Sequence, residues 1–72
     1  MTNEQFDALA ELMRLRQSPS REALRLVLVE GVTHAAAAGK ADIPRPNVTR
    51  QVSSAKRVIA LINQFHGNDS NI

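Results

Sequence analysis

Apolar positions recur every three or four residues through most of the chain, and the places where that rhythm fails divide it into four helices. Phe6, Leu9, Ala10, Leu12, Met13 and Leu15 fall at helical spacing. Thr2 precedes them, with Gln5 three positions on, in the form of a capping box. The pattern predicts a first helix from Thr2 to Arg16, with Glu11 placed to pair with Arg14 and Arg16 at the cationic C-terminal end. "QSPS" then breaks the rhythm. Ser18 is a capping residue, Pro19 suits a first helical position and Glu22 stands in the first turn. A second helix is predicted over residues 19–30, with Ala23, Leu24, Leu26, Val27 and Leu28 apolar and Gly31 as its stop.

Thr33 is placed to cap a third, short helix, "HAAAAGK", whose alanines favour helix and let a neighbour approach closely. Gly39 in its interior costs about 1 kcal/mol. Ala41, Asp42 and Ile43 form a connection, and Pro44-Arg45-Pro46 fixes the entry to a fourth helix, which starts at Arg45 or Pro46. From there no breaker occurs until Gly67. Val48, Val52, Ala55, Ile59 and Ile62 form one heptad-like seam, and Val58, Leu61 and Phe65 a second stripe beside it. The polar end "GNDSNI" is predicted to fray.

This pattern gives an all-α domain of about four helices over residues 1–66, followed by a disordered tail at 67–72. A chain of 72 residues buries a small core and gains from a staple. It has no cysteine, and His34 and His66 lie 32 positions apart with no carboxylate at ligand spacing. Neither a disulfide, a metal nor another cofactor is therefore expected, which leaves self-association. No apolar run approaches the roughly 20 residues of a membrane span. "MTNEQF" carries polar and acidic residues where a signal peptide has cations. The expectation is a cytoplasmic protein without a membrane partner.

Charge changes the picture. Residues 1–32 are balanced, with four cations against five anions. Residues 33–58 carry Lys40, Arg45, Arg50, Lys56 and Arg57 against Asp42 alone. A basic block on two short helices joined by a tight turn points to a helix-turn-helix over residues 33–53 and to double-stranded DNA as partner. Ala38 is small where the first helix of the pair must approach the second. Ile43 plugs the turn, and Val48 and Val52 face inward. The outward face of the second helix then presents Arg45, Asn47, Thr49 and Arg50 to base edges: arginine suits guanine, asparagine adenine, and threonine offers a hydroxyl and a methyl. Thr33, His34, Lys40, Ser53, Lys56 and Arg57 are expected at the DNA backbone.

Two motifs in order give the chain a likeness. "LRLVLVEG", the alanine-rich segment from His34 to Ala38, and "RPNVTRQV" resemble the DNA-binding domain of the TrfB/KorA-type transcriptional repressors of conjugative plasmids. That family shows "A-x-x-V-L-V-[DE]-G" and then "[ST]-R-x-x-V-[ST]-x-x-V". The opening "TNEQF" also looks like the family's N-terminus, and the chain looks most like its small, ArdK-like members. The resemblance spans roughly residues 2–58. It implies an all-helical fold, operator binding as a homodimer and repression of plasmid genes, with base reading at Arg45 and Arg50. Asp42 stands where the family has a turn glycine, and Pro44 where it has a Ser or Thr cap. Asp tolerates a left-handed backbone better than most residues, so the turn is expected to survive.

Longer members dimerise through a separate C-terminal domain. Here residues 54–66 are expected to serve instead, with Val58, Ile59, Leu61, Ile62 and Phe65 at a two-fold interface. The competing expectation is a helical protein-interaction module, an antitoxin-like or adaptor dimer without specific DNA binding. An enzyme is not expected: the serines have no histidine nearby in sequence, and no phosphate-binding glycine loop occurs. No small-molecule ligand is evident.

Overall fold

The computed structural model describes the backbone of residues 1–69 and the side chains of residues 1–65. Four helices follow in order: α1 (Asn3–Leu12), α2 (Pro19–Leu28), α3 (His34–Ala41) and α4 (Arg45–Asp69). No strand occurs among the described residues, and no helix among them is long and apolar enough to cross a membrane.

Each of the first three helices starts where a side chain supplies the acceptor that its first turn lacks. The Gln5 N–H donates to Thr2 Oγ1 (3.1 Å), and the Thr2 N–H donates to Gln5 Oε1 (2.9 Å), completing the predicted capping box. The Arg21 N–H donates to Ser18 Oγ (3.2 Å), and the Ala36 N–H to Thr33 Oγ1 (3.1 Å).

Helix ends are where the structure departs from the pattern. α1 stops at Leu12 rather than Arg16, and α2 at Leu28 rather than Glu30. Arg14 takes a left-handed φ of 55°. Its N–H and that of Leu15 donate back to the Glu11 and Ala10 carbonyls, at 3.0 and 2.9 Å. This is a Schellman cap built on arginine where glycine is commoner. Arg14 has left the helix, so its expected pairing with Glu11 does not form. The ion pairs among the described residues are Arg21–Asp7, Arg25–Glu22 and Arg25–Glu30. Leu12, expected in the apolar stripe of α1, is 64% exposed: it stands about 120° around the axis from buried Phe6 and about 160° from buried Ala10. Gly31, at φ 73°, supplies the stop after α2 as predicted.

α2 is the centre of the molecule: it packs against α1, α3 and α4, and α3 packs against α4. The buried core draws Phe6, Leu9 and Ala10 from α1, Ala23, Leu24 and Leu26 from α2, Ala37 and Ala38 from α3, and Val48, Val52 and Ala55 from α4. Five of these eleven are alanines, which lets three short helices approach closely with few large side chains between them. Phe6, Leu24, Val48 and Val52 are the largest side chains wholly inside. Arg21 ties α1 to α2 from above. Its Nη1 donates to the Leu15 carbonyl (3.2 Å), its Nη2 reaches Asp7 Oδ1 (3.4 Å), and its guanidinium lies 5.7 Å from the Phe6 ring centre.

The molecule is elongated, 46 × 19 × 19 Å, because α4, with 25 residues, runs about 37 Å. Its helix continues through Gly67, expected as a stop, to Asp69. The remainder of the predicted tail, residues 70–72, lies outside the described residues.

Candidate nucleic-acid interface

The turn between α3 and α4 sets the geometry of the basic face. Asp42 takes φ 56°, ψ 48°, the left-handed conformation that glycine adopts most readily. Its N–H and that of Ile43 both donate to the Ala38 carbonyl, the latter at 3.1 Å. This closes α3 and returns Ile43, half-buried, to the edge of the core. Pro44 follows, and its carbonyl accepts the Asn47 N–H at 3.0 Å, opening α4 at Arg45. Pro44 offers no side-chain cap, yet the helix start does not move past Arg45. Pro46 in the first turn removes one N–H that would otherwise lack an intrahelical partner.

From that start the helical repeat of about 100° per residue sorts the side chains. Val48, Val52 and Ala55 are buried at 0%, 2% and 0% exposure. Arg50 and Arg57 project from the opposite side. Arg45, Thr49, Ser53 and Lys56 form an adjoining strip, and all six are exposed. Arg45 and Arg50, the two arginines expected to read bases, stand about 140° apart around the axis, and both are exposed on a helix whose valines are inside. Arg45, Pro46, Thr49 and Arg50 together line an open depression. Pro46 was not expected there, since its sequence signal was that of a helix start. Its place one turn before Thr49 and Arg50 is the signal that puts it on this face.

Two hydrogen bonds organise the outward side chains. Arg50 Nη2 donates to Asn47 Oδ1 at 2.7 Å, the spacing of one helical turn. His34 Nδ1 and Thr49 Oγ1 share a hydrogen bond of 3.3 Å that joins the first residue of α3 to the second turn of α4. Asn47 and His34 are half-buried. The Thr33 hydroxyl oxygen is engaged by the Ala36 N–H, which leaves its own hydrogen free to donate. Lys40 is exposed in the last turn of α3.

The expected dimer residues divide. Val58 and Ile59 are half-buried against the chain's own core. Leu61 and Phe65 are 56% and 64% exposed, with half-buried Ile62 between them. The apolar surface offered outward therefore begins beyond Ile59, on the part of α4 that runs past the buried core. No family model, curated protein or solved structure matches the chain.

Proposed function

We propose that this chain is a sequence-specific DNA-binding transcriptional repressor of the TrfB/KorA type, acting in the cytoplasm and without catalytic activity. It binds a palindromic operator as a homodimer and controls conjugative-plasmid genes, its own among them. The observation that carries the reading is the α3–Asp42–α4 unit. A left-handed turn delivers a short helix to one whose valines are buried and whose Arg45, Thr49 and Arg50 are exposed. An α-helix fits the major groove, where arginine forks guanine and threonine meets thymine. Lys56 and Arg57, further along, are placed for phosphates, as are Thr33, His34 and Lys40 from α3.

Leu61, Ile62 and Phe65 support a two-fold pairing through the far end of α4, which sets two reading helices on half-sites of a palindrome. Selection of bound sites from a random duplex pool tests the reading. Enrichment of a two-fold symmetric motif is the expected result, with affinity falling steeply as salt rises. Enrichment of no motif, with a dimer in solution, favours the protein-interaction module to which the same exposed apolar end is suited.

A further inference from the structure

Asn47 and Arg50 both belong to the face that would meet base edges, yet their geometry gives them different tasks. Asn47 is half-buried, and its amide oxygen already accepts from Arg50 Nη2 at 2.7 Å. Recognition of adenine by asparagine uses the amide oxygen and the amide nitrogen together. In Asn47 the oxygen is turned along its own helix towards Arg50. Arg50 loses little by the contact, since a guanidinium carries five N–H groups and a guanine fork engages only two. It gains a fixed direction, because an exposed arginine otherwise samples many rotamers that must be ordered on binding.

We propose that Asn47 is a positioning residue for Arg50, and that Arg50, so held, reads a guanine in the major groove. This rests on the DNA-binding reading. It reassigns Asn47 from adenine reader to the residue that aims the arginine one turn ahead. The pair then specifies one base pair, not two.

Site selection from a random duplex pool with the wild-type chain and with Arg50→Ala, Asn47→Ala and Asn47→Asp tests it. The wild type is expected to enrich a motif containing a guanine whose preference disappears in Arg50→Ala. Asn47→Ala is expected to weaken preference at that same guanine about fivefold, the net size of one ordinary hydrogen bond. Asn47→Asp keeps an acceptor oxygen in place. It is expected to retain the guanine preference while lowering overall affinity, since it adds an anion near phosphate.

The inference is overturned if Asn47→Ala leaves the Arg50 guanine untouched and instead relaxes a separate A·T position. It is also overturned if Asn47→Asp loses the guanine as fully as Asn47→Ala does. A wild-type chain that enriches no motif overturns the DNA-binding reading itself, and this assignment with it.

Discussion

His34, the first residue of α3, is hydrogen-bonded to Thr49 in the second turn of α4, at 3.3 Å. The contact spans 15 positions of sequence and crosses the angle between the two helices of the turn motif. It braces the outer edge of a junction whose inner edge is alanine and valine. Thr49→Val keeps the shape and removes the hydroxyl. It is expected to lower unfolding stability by about 0.5–1 kcal/mol in urea titration, the net worth of one hydrogen bond at a partly exposed site. No change in the midpoint would show that the brace adds nothing to the junction.

Asp42 holds a left-handed backbone that β-branched residues adopt at a cost. Asp42→Val is expected to destabilise the domain by about 1–2 kcal/mol, and Asp42→Gly to leave it within about 0.5 kcal/mol of wild type. Thermal melts of the two variants check the ordering. A valine variant as stable as the glycine one would mean the turn can be remade without a positive φ.

Arg50 and Lys56 are both exposed on the free side of α4 but are assigned to different partners. Arg50→Ala is expected to reduce operator affinity by about 1–3 kcal/mol and to flatten preference at one base pair. Lys56→Ala is expected to weaken operator and random duplex alike and to reduce the salt slope by about one. Equal losses on all sequences from both variants would contradict the division of roles.

The Glu22 carboxyl is held below its usual value of 4.5, chiefly because Arg25 donates a side-chain hydrogen bond to it, with the positive charge of Arg25 adding to the effect and desolvation opposing it. Arg25 Nη2 lies 2.6 Å from Glu22 and 2.8 Å from Glu30, so the arginine is clamped between two anions and its own proton is held more tightly than usual. A depressed folded-state pKa means that Glu22 stabilises the fold above about pH 4.5 and that this contribution is lost as pH falls below it. Glu22→Gln lacks the contribution at every pH. The stability gap between wild type and Glu22→Gln is therefore expected to narrow from pH 6 towards pH 3. Parallel curves over that range would remove the pair from the acid sensitivity of the fold. The clamp is at the surface, where such pairs contribute little, so the gap is expected to be small throughout.

Leu61 is exposed on the outer half of α4, away from the cationic turns. Leu61→Glu is expected to convert the proposed dimer to a monomer in sedimentation and to abolish binding to the proposed operator while leaving weak binding to random duplex. The fold of the monomer should be retained, because Leu61 lies outside the buried core. A variant that remains dimeric would move the two-fold contact elsewhere, for which Leu12, at 64% exposure on α1, is the next candidate.

The starts of the first three helices were legible because capping is local: Thr2, Ser18 and Thr33 each bond within three residues, and the start of α4 because Pro44 and Pro46 bracket it. The buried faces were legible for the same reason that periodicity works, since Val48, Val52 and Ala55 must share a side. The end of α1 was not, because nothing in "MRLRQS" is a glycine and the left-handed turn falls on Arg14. The bond between Asn47 and Arg50 hides in the pattern as well. Both residues look like independent readers on a helical projection, and only the rotamers show one holding the other. Val58 and Ile59 were grouped with Leu61, Ile62 and Phe65 at the expected two-fold interface because spacing alone does not say where the core of a short chain stops supporting a long helix.

That one unbroken helix carries both the cationic turns and the apolar end has a mechanical corollary. Leu61 stands about 16 Å along the axis from Arg50. In the proposed dimer, a change of about 10° in how the two rods cross would swing each arginine by about 3 Å, close to a single step along the duplex. Operator spacing is then dictated at the end of the rod farthest from the groove, and a substitution there could retune which palindromes fit without touching any atom that meets a base.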